Sequence, residues 1–385
     1  MRAQSVSSVQ TDAYRAGCEI GEGLRALAPE VVLLFSSIHY ERDFSGLFEG
    51  IREGLGGSQA LIFGGTGDGI YETAFASNQG ASALGLNSGG AVQWAVEVVS
   101  GVGADVFASA QWCGRRALAT LGGKADFAFM MAAGSMADGS RLIAGLQSVL
   151  SIPLLGGLAG DDRKFLHPFI FANGTSHQDS VGLLVGRGPM KMLLNAASGW
   201  QPVGDAGFVE AAHDNTIERI GGTTALAFLR DRMGKSPSKL DVGMVPLATT
   251  LEEAEGRAAL RTASHFDNEA GSITVLGGIP VGSRVQVCQA TRADVVGGVD
   301  AALKDLPLDD FRPIAALVVS CAGRKWAMGD RGQEELNRLQ AFLGKELPLA
   351  GFPSFGEIAP FRRQDGTYTS NQFHNVTLAV CLIGA

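Results

Sequence analysis

A basic surplus, long apolar runs and paired cysteines are all missing from this 385-residue chain, and each absence removes a class of protein. Lys and Arg number 31 against 39 Asp and Glu, a formal net charge of −8. The basic footprint of a general nucleic-acid binder is therefore lacking. No run of about 18 apolar residues occurs, which argues against a membrane-spanning helix. The opening MRAQSVSSVQTDAYRAG has no apolar secretion core, so the expected location is the cytoplasm. The cysteines Cys18, Cys113, Cys288, Cys321 and Cys381 are scattered with no CxxC or CxxCH. That pattern speaks against a disulfide framework and a structural zinc site, and excludes covalent haem attachment of the c type. Proline is scarce, 13 against 53 glycines. With 46% hydrophobic and 18% charged residues, the chain reads as two or three packed domains. Its glycines are then expected at strand ends, tight turns and close backbone approaches.

What is present is a recurring unit. VVLLF at Val31–Phe35 reads as a buried strand. The spacing of Phe44, Leu47, Phe48, Ile51 and Leu55 after Asp43 predicts a helix, and ALIFGGTGDGI ends a second apolar run at Ile70. The order returns from Asp126, with strand FAFMMAAG, a helix after Asp138 carrying Leu142, Ile143, Leu146, Val149 and Leu150 on one face, and IPLLGGLAGDD ending at Asp162. It returns again from Ile314, with strand AALVVSCAGR, a helix from Asp330, and LPLAGFPSFGEI ending at Gly356-Glu357. ASALGLNSG, SVGLLVGRG and VTLAVCLIG close the three copies as strands. The unit predicts an α/β fold of mixed sheets built from repeated β-α-β-hairpin units, in two domains.

Residues from about 190 to 310 read differently. FVEAAHDNTIERIGG predicts a hairpin turning at Asp214-Asn215, and TTALAFLRDRMG a helix with Gly234 just past its end. DVGMVPLAT reads as a strand. The stretch from Leu251 to Thr291 suggests meandering strands turning at Asn268–Gly271 and Pro280–Gly282, and GKSPSK a loop near a boundary at about residue 225.

Chemistry is expected at the three strand-end loops, since ligands of open α/β sheets sit beyond the carboxyl ends of strands. The candidates there are Gly65 and Asp68, Gly157 and Asp161, and Gly356 and Glu357. Glycine lets backbone amides approach a ligand, and a carboxylate holds an ammonium or hydroxyl. The alternative reading is tight turns with solvated acids. No GxxxxGK[ST] is present, and YETAFASN after GGTGDG reads as extended chain rather than the helix a dinucleotide fingerprint needs. Arg324 either forks onto a ligand carboxylate or forms a structural salt bridge. Cys321 beside it is either a lowered-pKa nucleophile or a small buried hydrophobe. None of the six histidines stands in HExxH, and GxSxG is absent, so neither metalloprotease nor α/β-hydrolase chemistry has support.

SCAGRKW at Ser320–Trp326, GFPSFGEIAP at Gly351–Pro360, FHNVTL at Phe373–Leu378, GGLAGDD at Gly156–Asp162, FIFANG at Phe169–Gly174 and NTIERIGGTTALAFLRD at Asn215–Asp231 together resemble the FIST family (F-box and intracellular signal transduction proteins). The first loop departs from the family pattern, reading GGTGDGI with Asp68 and no cysteine. The resemblance implies a FIST N-like domain over 29–225 and a FIST C-like domain over 226–375. It implies a sensory protein, not an enzyme, that binds a small molecule and signals to a separate partner such as a histidine kinase or a cyclic-dinucleotide enzyme. Asp161, Arg324, Gly356, Glu357 and Asn375 are then expected at the pocket, with Gly65, Asp68 and Gly157 beside it. One branch of the family binds haem to sense nitric oxide; in that alternative the axial ligand is His374 or His177. A cysteine-dependent enzyme using Cys321 is the third reading.

Overall fold

The computed structural model describes residues 1–384 apart from 74, 134–137, 251–255 and 305. Gly134, at the end of FAFMMAAG, and the start of the meander at 251–255 lie outside the described residues. Among those described, the strands form three six-stranded sheets and one seven-stranded sheet, with helices outside the six-stranded sheets.

The six-stranded sheets follow one plan. In the first module, strand Arg2–Ser8, helix Ala13–Arg25, strand Val31–Ser37, helix Phe44–Gly54 and strand Leu61–Gly67 lead to the hairpin Ile70–Glu72/Phe75–Ser77 and strand Ala81–Asn87. The second runs Gln93–Ser100, Val106–Leu121, Phe127–Ala133, Gly139–Gln147 and Leu155–Leu158, then the hairpin Ile170–Ala172/Thr175–His177 and Ser180–Arg187. The third starts at Lys191–Ser198 and resumes at helix Arg292–Leu303. It continues through Pro313–Cys321, Gln333–Leu343, Leu349–Ser354, the hairpin Glu357–Ala359/Gln372–His374 and Thr377–Gly384. Each repeat is thus one strand and one helix longer than the sequence pattern shows. The leading strand RAQSVSS is mostly half-buried and polar, and gives no apolar run to read.

Local chemistry sets these elements. All seven residues of Val31–Ser37 are buried, as an apolar run covered on both faces requires. Asp43, Asp105 and Asp138 each cap the following helix by accepting backbone N–H groups of its first turn,. In every module the two central strands pair in parallel. The hairpins are exchanged in a ring. The first module's pairs with Leu349–Ser354, the second's with Leu61–Gly67, and the third's with Leu155–Leu158. The three sheets therefore interlock around an approximate threefold axis. Phe35, Phe129 and Phe352, one from each module, meet there, with Phe35 stacked on Phe352 at 4.9 Å and edge-on to Phe129 at 5.9 Å. Each such buried ring is worth roughly 1.5–3 kcal/mol of transfer free energy.

The seven-stranded sheet lies between Lys191–Ser198 and helix Arg292–Leu303, and is an insertion into the third module. It holds the expected hairpin turning at Asp214 and Asn215, the helix Ala225–Met233 with Gly234 left-handed after it, and the strands of the meander. The expected division at 225/226 falls inside this sheet, because its hairpin Gln201–His213/Thr216–Ile220 precedes that point. AALVVSCAGR also divides: the strand stops at Cys321 and Ala322–Met328 is helical. The helix from Asp330 begins instead at Gln333, after a 3-10 turn at Gly329–Arg331.

Candidate functional site

The three strand-end corners converge and bond to one another. Asp68 N donates to Pro353 O at 2.9 Å, Gly160 N to Thr66 O at 2.9 Å, Leu158 N to Gly356 O at 2.9 Å and Phe355 N to Leu158 O at 3.1 Å. Corners of this kind end parallel strands, whose carboxyl ends point the same way, so the exchange of hairpins draws them to one end of the axis.

What differs is what covers each corner. Ser37 pairs with Gly67 in the first module as Cys321 pairs with Ser354 in the third. At the first corner Ser37, His39 and Asp68 line an open polar bowl of about 210 Å³, with Asp162 and Lys164 on its rim. At the third, the inserted domain folds over the equivalent position. It leaves a cavity of about 140 Å³ between Cys321, Gly323, Trp326 and Phe355 on one side and Val242, Thr262, Ser264 and Leu276 on the other. The second corner runs into residues 134–137, outside the described set.

Aromatic rings wall the cavity. Phe165 stacks on Phe355 at 4.5 Å and stands edge-on to Trp326 at 6.2 Å. Arg163 lies over the Trp326 ring at 4.1 Å. Phe165 and Arg163 belong to a loop with positive φ at Asp162, Arg163 and Phe165, a conformation unfavourable for residues with a Cβ. Asp161 holds this loop: its buried carboxylate accepts from the amides of Phe165, Leu166 and His167 at 2.7, 2.6 and 2.8 Å.

Two buried charge clusters flank the cavity. Behind its floor, Glu357 accepts from Thr377 N at 3.2 Å while its Oε1 makes no bond to nitrogen or oxygen; the Cys321 thiol lies against this carboxyl. Burial pushes Glu357 well above the usual carboxylate range, against the pull of the Thr377 amide and the thiol,. Burial first and the Glu357 charge second push Cys321 well above its ordinary value, against the amides of Gly323 and Val376. A thiol whose ionisation is disfavoured in this way is a poor nucleophile. Beneath Trp326, Asp68 accepts the indole Nε1–H at 2.6 Å and Arg163 N at 3.1 Å, and its carbonyl accepts from Lys325 Nζ. Burial raises Asp68, opposed by Lys325 and the indole, and burial lowers Lys325, opposed by Asp68 and Asp162.

The structure distributes the expected residues unevenly. Asp68, Asp161 and Glu357 all adjoin the cavity walls, although none of the three lines the cavity itself. Asn375 stitches the insertion to the last hairpin: its Oδ1 accepts from Thr262 N and its Nδ2 donates to His374 O. Arg324 is fully buried, giving Nε and Nη2 to Glu335 Oε1 at 2.9 and 2.6 Å and Nη2 to Val295 O at 2.8 Å. Gly65, Gly157 and Gly356 are packed on protein. A Cβ on Gly65 would lie 2.6 Å from Phe169 O, and one on Gly356 2.4 Å from the Phe373 ring. His374 is buried, its Nε2 bonded to Ala359 O at 2.9 Å, and burial lowers it to about 3; burial also lowers His177. Neither histidine lines the cavity, so these residues do not fit an axial role to haem there. Among the described residues no group of three His, Cys, Asp or Glu is placed to hold a metal ion. Trp326 and Phe355 stand inside the motifs SCAGRKW and GFPSFGEIAP without having been singled out. Phe165, Thr262 and Ser264 carried no signal, because their roles depend on where the insertion docks.

An α/β scaffold with converging strand ends and a largely apolar cavity is an architecture suited to binding a small molecule,. The FIST N domain model matches residues 30–223 and the FIST C domain model residues 225–360; the chain belongs to the FIST family. FIST domains are sensing and signal-transduction domains that bind small ligands. No curated protein matches the chain. Among solved structures it is similar to cyanuric acid hydrolase from A. caulinodans, at 9% identity over 99% of this chain and 98% of that one with a TM-score of 0.37. It is also similar to PurLQS from Thermotoga maritima, at 12% identity over 100% and 72% with a TM-score of 0.20. At these scores neither bears on what the chain does. No described helix is long and apolar enough to cross a membrane.

Proposed function

We propose that this chain is a cytoplasmic sensor whose small-molecule ligand occupies the cavity beneath the insertion, and that it signals to a separate partner such as a histidine kinase or a cyclic-dinucleotide enzyme. The observation that carries this reading is that the cavity has walls from two bodies: Cys321, Trp326 and Phe355 from the interlocked core, Val242, Thr262 and Ser264 from the inserted sheet. A ligand touching both favours the arrangement in which both reach it, and only such differential affinity shifts a conformational equilibrium. The Cys321 thiol is buried, and burial pushes it above its ordinary value, which supports binding rather than nucleophilic catalysis,. Hydrogen exchange with and without a ligand found by thermal-shift screening tests the placement. Protection is expected together in Ala258–Asp267 and in 320–328; protection confined to either side alone, or lying elsewhere, overturns it.

A further inference from the structure

The cavity is not closed outward. Phe165, Val242 and Ser264 also line a larger basin of about 430 Å³ on the solvent side. The two spaces therefore adjoin at these three residues, taken as the throat between them, and they differ in chemistry. No charged side chain lines the inner one, which is walled by Phe165, Trp326 and Phe355 with the hydroxyls of Thr262, Ser264 and Ser354. Its volume, about 140 Å³, is close to the roughly 150 Å³ of an apolar cavity that takes up benzene when engineered into a protein core. The charged or titratable side chains lining the outer basin are all basic: Arg163, Lys239 and His265. Of the neighbouring acids, Asp241 accepts from Ser238 and Lys235, and Asp267 accepts from the amides of Glu269 and Ala270 while its charge also acts on His265.

Building on the sensor reading, we propose that the ligand is an aryl acid: a single aromatic ring in the inner cavity, joined by a short chain through the throat to a carboxylate in the basin. The ring gains three aromatic walls, and the desolvated cavity excludes a charge on it. The carboxylate meets the Arg163 guanidinium, which the Trp326 ring already orients,. Because Arg163 and Lys239 are exposed, each pairing contributes only about two- to fivefold in affinity and weakens with salt.

Calorimetric titration of the purified full chain with 3-phenylpropanoate, its amide, 2-phenylethylamine and hexanoate tests this. The acid is expected to bind about tenfold tighter than the amide, with the amine weakest of the ring compounds and hexanoate weaker than the acid. Arg163→Gln with Lys239→Gln should erase the gap between acid and amide while leaving the amide unchanged. Ser264→Leu, which fills the throat, should abolish binding of every probe, and Val242→Phe repeats that test if the first variant melts early. An amine or hexanoate that matches the acid overturns the ligand class, as does failure of every probe to bind. Either result leaves the sensor site standing if a screened ligand still gives the two-sided protection. Binding that survives both throat-filling variants overturns the cavity itself.

Discussion

Arg324→Met removes one half of an ion pair that water does not reach: the side chains of Arg324 and Glu335 are 0% and 1% exposed. The substitution deletes the bonds from Nε and Nη2 to Glu335 Oε1 and the bond to Val295 O. Glu335 keeps only two neutral donors, Ser320 Oγ at 2.8 Å and the Tyr71 hydroxyl at 3.1 Å, both on Oε2. Breaking one side of a buried pair costs about 3–5 kcal/mol, because the survivor is left charged and uncompensated. Removing both charges in Arg324→Met/Glu335→Gln abolishes that term and keeps an acceptor oxygen for the two hydroxyls. It leaves one unpartnered amide group, at about 1–3 kcal/mol. The double variant should therefore be more stable than the single one by about 2 kcal/mol.

Urea unfolding followed by tryptophan fluorescence and by circular dichroism measures both, and coincident curves are needed before a free energy is read from them. A double variant no more stable than Arg324→Met would refute the pairing argument. So would an Arg324→Met protein of unchanged stability that has lost its ligand. In that case the guanidinium faces the ligand, one of the two roles the sequence left open, rather than Glu335.

Two further outcomes follow from the buried acids. Glu357 is raised above its unfolded value of about 4.3,. Below that value both states hold the proton; as pH rises, the unfolded state releases it first, so stability falls until the folded carboxyl titrates. Glu357→Gln should match the parent near pH 4 and be the more stable of the two at pH 7, and a difference independent of pH between those points would rule the raised carboxyl out. Asp161→Asn keeps one acceptor oxygen where the carboxylate offered two to three amides, at about 2–3 kcal/mol of local stability. Amide exchange at Phe165–His167 should quicken by roughly 30-fold or more while the core strands stay protected; unchanged exchange would mean another group holds the loop.

The repeat was legible because its strands are covered on both faces. VVLLF, FAFMM and AALVVS must be continuous apolar runs to be buried in this way, and the amphipathic helices that follow them, the first two capped by Asp43 and Asp138, show a 3.6-residue period,. The hairpin exchange was not legible, since Ile70–Glu72 and Glu357–Ala359 are three residues each, and nothing in so short a run names its partner strand. The acids at the corners were found by position, but their roles were set by partners distant in sequence. Asp68 meets Trp326, 258 residues on. Arg324, adjacent to the corner in sequence, turns away from it toward Glu335 one helix later. The aromatic walls escaped notice because a Phe or Trp near a strand end reads as core until the covering domain is known.

The departure from threefold symmetry is what makes one corner suited to signalling. At the first corner the bowl around Asp68 opens to solvent, so a ligand bound there touches only the interlocked core and leaves the placement of the insertion unbiased. At the third corner the same backbone geometry is roofed by Val242, Thr262 and Ser264, and occupancy reads out as docking of one body on the other. The signal is bounded by mass action: a ligand at 100 times its dissociation constant that binds the docked arrangement alone favours it by about 2.7 kcal/mol. That turns a docked-to-undocked ratio of about one to ten into about ten to one. A stronger response requires a looser resting state, and the polar contacts that already hold the insertion down, Asn375 to Thr262 N and Arg261 to Phe373 O, set how loose that state is. Weakening them through Asn375→Ala should lower apparent ligand affinity while enlarging the ligand-dependent change in protection. If the resting state were already fully docked and rigid, the same substitution would alter stability and leave both quantities where they were.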